Sequence, residues 1–235
     1  MKTQTSMLSA RAITILLLLT AMIATGCGPT IGWMVNAFAP PKKIEAVYEP
    51  PEGKTILVFV DDMKNPVSYE PVKAQLTESL NAMLEENKVA AATVPYRKLL
   101  ELMSASRDFN RMAVGEVGQK LGADMVLYVI VEEFSLKENE MTPLWQGKLA
   151  TTVRIVDTAE GRLWPDDRPE GYPVRPVETS PRADSSPRYG EVLSKVLAAK
   201  MADRIAKLLY DHKIPAFEAR KQEQTEETGL NYSAD

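Results

Sequence analysis

Residues 125–131 read MVLYVIV, and residues 56–60 read ILVFV. Both runs are continuously apolar, and an apolar run of this length between polar residues is typical of a strand buried on both faces of a sheet. Such a sheet needs helices on each face to cover it. The two runs therefore predict an α/β fold with parallel strands at its centre.

Amphipathic segments separate these two strands. Apolar spacing predicts a helix over residues 69–87, a short helix opened by Pro95, and a helix over residues 110–121 that Gly122 ends. Residues 88–94 predict a second strand between the first two helices. Since crossovers between parallel strands are right-handed, we expect the first strand to lie between the second and the third.

The next segment has a different pattern. Residues 145–156 alternate apolar and polar side chains, which is typical of an antiparallel strand with one wet face; the inward set is Leu149, Thr151, Val153 and Ile155. Residues 162–164 predict a short hairpin partner. Residues 165–190 hold six of the 16 prolines and predict an extended surface loop, with a short edge strand at 174–177.

A final helix is predicted over residues 189–211. One apolar stripe repeats at helical spacing, namely Leu193, Leu197, Met201, Ile205 and Leu208. Val192 and Val196 lie beside this stripe, and the wide apolar arc predicts a helix that covers the sheet. The whole pattern is β-α-β-α-α-β-β-(β)-α, a single α/β domain whose mixed sheet is flanked by helices.

The first residues have the features of a secretory signal. Lys2 and Arg11 precede an apolar run at 12–23, which is shorter than the ~20 residues that a transmembrane helix needs. The small residues Ala24, Thr25 and Gly26 then lead to Cys27, the only cysteine, so no intramolecular disulfide can form.

The stretch Ala24-Thr25-Gly26-Cys27 resembles the lipobox of bacterial lipoproteins. This resemblance implies cleavage before Cys27 and attachment of palmitate-type acyl chains to it. Two or more chains, at ~0.8 kcal/mol per buried methylene, anchor a protein stably. Two alternatives stay open: an ordinary cleaved signal followed by a chance cysteine, and an uncleaved anchor.

We therefore expect four regions: a lipoprotein signal peptide at 1–26, a lipid anchor and tether at 27–53, an α/β envelope domain at 54–213, and a disordered tail at 214–235. Prolines keep the tether extended, to a span of at most ~85–95 Å. An apolar patch lies within it, formed by Trp33 and Phe38 together with Ile31, Met34 and Val35. The patch is consistent with a membrane interface, a partner contact, or packing against the chain's own domain.

Charge excludes two classes of function. The net charge is −4 at pH 7, and the signal holds two bases and no acid, which leaves 26 bases against 32 acids, or −6, after cleavage. A general nucleic-acid binder needs a concentrated basic face. A protein held to anionic lipid by charge alone also needs excess positive charge. Neither class fits this chain.

Catalytic chemistry has few candidates. With Cys27 acylated, every arrangement built on histidine would have to use His212, the only one in the chain. Asp61 and Asp62 follow the first strand, at the sheet edge where open α/β sheets bind ligands. Two carboxylates there are suited to Mg²⁺ or Ca²⁺. The simpler interpretation is a polar strand exit. No cofactor is implied.

Trp164 and Tyr172 are the aromatic residues of the long loop. Aromatic side chains are enriched at the energetic centres of protein interfaces, so both are candidates for partner binding. The alternative is that they fold over the edge of the sheet.

A family resemblance covers residues 54–212. The stretch Lys120-Leu121-Gly122-Ala123-Asp124 runs into an apolar strand, and a later strand closes in Ile155-Val156-Asp157-Thr158, with Gly161 and Trp164 following. Together with the lipobox and the long last helix, these features resemble the periplasmic lipoprotein superfamily of the TolB amino-terminal domain, LpoB and CsgG. The resemblance implies a fold similar to the anticodon-binding domain, used in the envelope to bind other proteins.

The predicted function is that of a lipid-anchored envelope accessory or assembly protein, not an enzyme, which faces the periplasm and acts through protein contacts. Gly28 stands where inner-membrane lipoproteins of well-studied bacteria carry aspartate, which favours the outer membrane. The envelope partner is not identified, and a homo-oligomer stays open. The rival hypotheses are a metal-dependent hydrolase and a small-ligand binding module, both using Asp61 and Asp62.

Overall fold

A computed structural model describes residues 40–62, 67, 71–137, 144–184, 186 and 188–219. The chain divides into two compact units, a main unit of Glu45–His212 and a small unit of Met1–Ile44 with Lys213–Asp235. Its strands are β1 (Lys42–Ile44), β2 (Thr55–Asp61), β3 (Ala92–Thr93), β4 (Met125–Ser135), β5 (Leu144–Trp145), β6 (Lys148–Asp157), β7 (Gly161–Trp164), β8 (Tyr172–Glu178), β9 (Arg182–Ala183) and β10 (His212–Ile214). Its helices are α1 (Pro71–Glu86), α2 (Tyr96–Ala105), α3 (Val114–Lys120) and α4 (Tyr189–Ala206), with a 3-10 turn at Phe109–Arg111.

Six strands form the central sheet of the main unit. Its order is β3-β2-β4-β6, and both β7 and β8 pair with the outer edge of β6. Strand β2 runs parallel to β3 and β4, and β6 runs antiparallel to β4. The prediction that the first strand lies between the second and third is confirmed.

Strand β2 is covered on both faces, as its continuous apolar run predicts. Ile56 and Val58 belong to a core that includes side chains of α1 and α4. Leu57 belongs to a second core with residues from α2 and α3. Helices therefore lie on both sides of a mixed sheet, and the single-domain α/β class is confirmed.

The alternation along β6 is also confirmed. Its predicted inward residues Leu149, Thr151, Val153 and Ile155 are all buried, at 0–2% exposure. Leu149, Val153 and Ile155 belong to the core on the α1 and α4 side of the sheet. Thr151 faces the same side, because its hydroxyl lies 3.2 Å from Met201 Sδ in α4. A strand whose apolar side chains repeat with a period of two has one buried face and one more solvent-exposed face.

The second predicted strand, 88–94, is shorter in the structure, where β3 spans only Ala92–Thr93. Residues before it close helix α1 instead. Lys88 has a left-handed φ of 59°, and the amides of Val89 and Ala90 both donate to the Leu84 carbonyl. Carbonyl groups at the end of a helix need such partners. Residues 88–90 therefore complete the end of α1 and do not extend strand β3.

The last helix differs from its prediction in one respect that matters later. It covers the sheet through Leu193 and Leu197, whose side chains pack against Gly147. Val192 and Val196, which the wide apolar arc placed inward, are 54% and 38% exposed. The inward side is instead completed by small residues, since Ser194, Ala198 and Ala202 are buried.

The motifs that carried the family resemblance form a joint between α3, β4 and β6. The Asp124 carboxylate accepts from the Thr55 amide at 2.8 Å, and the Asp124 carbonyl accepts from the amide and hydroxyl of Thr158, both at 3.0 Å. Gly118 of α3 lies so close that an added Cβ would be 2.6 Å from side-chain atoms of Thr158 and Val126. These motif residues thus have structural roles.

Regular structure also occurs in the predicted tether and tail. Strands β1 and β10 form a two-stranded sheet, and a helical turn spans 216–219. A second small sheet pairs β5 with β9. Trp145, which the alternating pattern placed at the start of the long strand, belongs to β5 and donates from Nε1 to the Asp184 carbonyl at 3.1 Å.

Candidate partner-binding surface

Three aromatic rings stack at the outer edge of the sheet. Trp164 lies against Tyr48 at a centroid distance of 5.6 Å and against Tyr172 at 4.9 Å. The interplanar angles are 25° and 30°, so both contacts are close to parallel. The Arg168 guanidinium follows, 5.8 Å from the Tyr172 centroid. We call these four residues the aromatic stack.

Strand register brings Trp164 and Tyr172 together. Trp164 of β7 is opposite Ile155, and Tyr172 of β8 is opposite Val153. Ile155 and Val153 are two positions apart on β6 and therefore point to the same face. The two aromatic side chains consequently become neighbours although seven residues separate them in the chain.

The loop between β7 and β8 is held in place. Gly171 has φ +109°, and a Cβ at this position would lie 3.1 Å from the Val153 carbonyl oxygen. The Gly171 amide donates to the Arg168 carbonyl at 3.0 Å, and Arg154 donates to the Glu170 carbonyl at 3.0 Å. This loop therefore presents Arg168 and Tyr172 in a set geometry.

Tyr48 comes from the segment before the first core strand. The amides of Val47 and Tyr48 both donate to the Leu208 carbonyl, at 2.8 and 3.1 Å, and the Ala46 amide donates to the Asp211 carboxylate at 2.9 Å. The segment is thus bonded to the residues that follow α4. These residues belong to the stretch predicted to be tether.

Burial and acidic neighbours disfavour ionisation of the Tyr48 hydroxyl. Its pKa is raised above the usual tyrosine value, chiefly by desolvation and then by the negative charges of Asp166 and Asp157. Asp167 and Arg168 form an exposed ion pair at 3.4 Å. The stack therefore combines partly buried apolar rings with a charged rim, which is the usual layout of a protein-binding site.

The geometry of the rings favours a protein over a stacked ligand. All three rings pack partly against the main core. Each tyrosine lies at 25–30° to Trp164, and a guanidinium lies near Tyr172, so every ring has at least one face engaged within the stack. A sugar or nucleobase that stacks needs a free ring face, whereas a protein contact also uses ring edges. Rings already ordered also lose little entropy on binding.

Asp61 and Asp62 are not brought together. The Tyr128 hydroxyl donates to the Asp61 carboxylate. Asp62 instead accepts from Lys73 of α1 at 3.2 Å and from the Val67 amide at 3.0 Å. Neighbouring residues of an extended chain point to opposite sides, so each carboxylate has its own partners.

Tyr128 of β4 interacts with a polar side chain of each neighbouring strand, Asp61 of β2 and Arg154 of β6. Its pKa lies well above the usual tyrosine value because burial and the hydrogen bond to Asp61 both disfavour the tyrosinate form. Arg154 is directly opposite Tyr128 on β6 and opposes this shift. Among the described residues, no cluster of three or more His, Cys, Asp or Glu side chains is arranged to hold a metal ion.

The other predicted site residues, Cys27, Trp33 and Phe38, lie outside the described residues. Within the ranges that the structure describes, no helix has both the length and the apolar character to cross a membrane. The sequence reasoning missed two members of the stack, Arg168 and Tyr48, of which one is an aromatic ring, that of Tyr48. Its only signal was an aromatic residue just before Pro50 and Pro51 in a proline-rich segment.

The fold defines a class of protein, a single α/β domain with a mixed sheet flanked by helices. No protein-family model and no curated protein matches the sequence.

Several solved structures are similar to the chain. The PelC dodecamer from Paraburkholderia phytofirmans is 14% identical, with 73% of this chain and 98% of that chain covered and a TM-score of 0.36. Lipoprotein GNA1162 from Neisseria meningitidis is 17% identical, with 65% and 99% covered and a TM-score of 0.37. Uncharacterized lipoprotein B from Nitrosomonas europaea is 10% identical, with 76% and 92% covered and a TM-score of 0.33. These likenesses assign no activity to the chain.

Proposed function

We infer that this protein is a lipid-anchored accessory protein of the bacterial envelope that acts by contacting another protein and catalyses no reaction. The aromatic stack of Tyr48, Trp164, Tyr172 and Arg168 is the observation that carries this proposal. It is a preorganised, partly exposed aromatic cluster with a charged rim, and such clusters dominate the energetics of protein interfaces.

The amino-terminal sequence supports the anchor. A basic start, an apolar run and small residues precede Cys27, and the resemblance to a lipobox implies an acylated cysteine. Confinement at a membrane raises the effective concentration of the domain near other envelope proteins. An acylated anchor and an aromatic contact surface thus fit one role, assembly beside the membrane.

The segment around Tyr48 adds a geometric element. Because residues 46–48 are bonded to the end of the α4 region, they are unavailable as free tether. Because residues 42–44 form strand β1, the free tether ends at residue 41, and its extended reach falls from ~85–95 Å to ~46–50 Å. The aromatic stack then lies at the point where the anchored segment joins the domain, so the partner is sought close to the same membrane.

The finer proposals are a periplasmic orientation, an outer-membrane location and membership of the TolB, LpoB and CsgG superfamily with its anticodon-binding-like fold. Gly28 carries the outer-membrane proposal. We expect Gly28→Asp to shift the protein to the inner membrane in density-gradient fractions. Unchanged fractionation of this variant would remove that argument.

The rival hypotheses of a metal-dependent hydrolase or a small-ligand binding module at Asp61 and Asp62 gain no support, because the two carboxylates have separate partners.

The anchor is tested by labelling cells with an alkyne analogue of palmitate. We expect label on the full chain and none on Cys27→Ser, which should also leave the membrane fraction. A mature amino terminus elsewhere, or an unmodified thiol in a protein free of the envelope, contradicts the proposal.

The contact surface is tested with a photo-crosslinking amino acid in intact cells. Arg168 in the stack has a side chain 46% exposed, and Val47 beside Tyr48 is 46% exposed. We expect one discrete protein adduct from both positions. Matched control probes at Asp108 and Arg111, whose side chains are 77% and 87% exposed, should give none. Equal adducts from all four positions would indicate nonspecific proximity and overturn the proposal.

A further inference from the structure

The outer side of helix α4 carries an apolar stripe. Val192 is 54% exposed and Val196 is 38% exposed, one turn apart, and Ala199 continues the same side. Lys195 on this helix and Lys207 just after it are already neutralised, because Lys195 binds Glu191 at 2.8 Å and Lys207 binds Asp203 at 2.7 Å. Lys200 makes no ion pair with any residue that the structure describes. We call Val192, Val196, Ala199 and Lys200 the α4 stripe.

A groove of about 580 Å³ lies between α1 and α2, beside β3. Its apolar wall includes Ala74, Pro95 and Leu100, and Leu100 is 40% exposed. Met103 extends this wall along α2 at 39% exposure. Glu78 lies at the rim, and within the described ranges it has no ion-pair partner. We call this the α1–α2 groove.

The stripe and the groove cannot meet within one molecule. Helix α1 packs against α4 and also against α2. It therefore stands between the two surfaces. The groove is beside β3 at one edge of the sheet, whereas α4 contacts β6 and β8 at the other. Any contact between these surfaces must join two molecules.

We propose that the α4 stripe of one copy binds in the α1–α2 groove of a second copy, with Lys200 facing Glu78. The surfaces complement each other in charge, because Lys200 on one and Glu78 on the other have no ion-pair partner among the described residues. They also account for four of the large apolar side chains that the main unit exposes, Leu100, Met103, Val192 and Val196. The contact joins two different surfaces, so it is heterologous and builds a ring or a filament.

A lipid surface fits the stripe less well. Binding to anionic lipid draws on clustered free cations, and Lys195 on α4 and Lys207 just after it are already paired. The chain also carries a net charge of −4, which anionic headgroups repel. A second copy supplies what a membrane does not, an apolar groove with a matching carboxylate.

Disulfide trapping in the membrane-anchored full chain tests this proposal. We expect the double variant Leu100→Cys/Val196→Cys to form a ladder of dimer, trimer and larger species under mild oxidation in intact cells. Each single variant should form none, which also controls for the native Cys27. The control pair Glu160→Cys/Val196→Cys, with Glu160 exposed in the β6–β7 turn, should give no ladder.

Charge reversal provides a second readout at exposed positions that carry no core packing. Adding Lys200→Glu to the double variant should lower the ladder yield about tenfold, because like charges then face each other. Further addition of Glu78→Lys should restore it. Dimers from Val196→Cys alone would show a symmetric α4 contact and overturn the proposal. So would the absence of a ladder, or protection of Val196→Cys from a thiol reagent by phosphatidylglycerol vesicles.

Discussion

The aromatic stack and the carboxyl end of β2 both hold residues that the sequence proposed as site residues, and the fold treats them in opposite ways. Trp164 and Tyr172, eight positions apart and on two different strands, become neighbours because both strands pair with the same edge of β6. Asp61 and Asp62, adjacent in the chain, are separated because neighbouring residues of a strand point apart. Adjacency in a strand is thus poor support for a shared site, whereas register on a common strand is good support.

The largest expected effect comes from removing the centre of the stack. Trp164→Ala should lower the free energy of unfolding by about 3 kcal/mol, because it removes the ring that contacts both Tyr48 and Tyr172. Denaturant titration of the full chain measures this. The control Trp164→Phe keeps a ring and should lose only about 1 kcal/mol. A loss below 1 kcal/mol for the alanine variant would show that the stack is not ordered.

The loop that presents Tyr172 gives the next largest effect. Gly171→Ala should cost about 2 kcal/mol, since alanine is strained at φ +109° and its Cβ would lie 3.1 Å from the Val153 carbonyl oxygen. Gly53 is a matched control, because its φ is +76° and no atom lies within 4 Å of the added Cβ. Gly53→Ala should therefore lose less stability in the same titration. Equal losses would indicate that crowding at Gly171 plays no part.

The hydrogen bond from Tyr128 to Asp61, at the carboxyl end of β2, should make a pH-dependent contribution to stability. The pKa of Tyr128 is raised in the folded protein. Its contribution to the free energy of unfolding is therefore complete below about pH 10, the ordinary tyrosine pKa. That contribution is lost as the pH rises through the pKa of the folded state. Stability should therefore decline above about pH 10, and less steeply in Tyr128→Phe. Denaturant midpoints across this range test it. A decline just as steep in the variant would assign it to other groups, such as Tyr48 and Tyr210, whose pKa values are also raised.

The smallest effect is expected at Asp62. Asp62→Asn removes the ion pair with Lys73 but keeps an oxygen that can accept from the Val67 amide, so we expect a loss of about 1 kcal/mol. Thermal unfolding at neutral pH measures it. Lys73→Gln should lose a similar amount, and the double variant little more. Strict additivity of the two losses would show that the pair does not interact.

Much of the fold could be predicted from local patterns. The apolar runs at 56–60 and 125–131 predict two strands buried on both faces, and the alternation at 149–155 predicts a strand with one wet face, because burial sets these periods directly. The spacing along 71–86 likewise predicts α1. Each of these features depends on a single element and its side of the core.

Features that depend on distant residues could not be predicted. Tyr48 joins the stack through backbone bonds to Leu208, 160 positions away, and no local pattern encodes such a pairing. Val192 and Val196 were placed inward because a wide apolar arc does not say which side faces water. Trp164 and Tyr172 were predicted as two separate candidates, because no local pattern shows which residues of different strands are in contact.

The most direct test compares the stack with the carboxylates by partner capture. The photo-crosslinked adduct from position 47 is quantified in Tyr172→Ala and in Asp61→Asn/Asp62→Asn, with all proteins at matched abundance in the membrane. We predict that the adduct is lost in Tyr172→Ala and unchanged in the double asparagine variant. An adduct that survives Tyr172→Ala but disappears in the asparagine variant would contradict the proposal that this protein works through its aromatic stack.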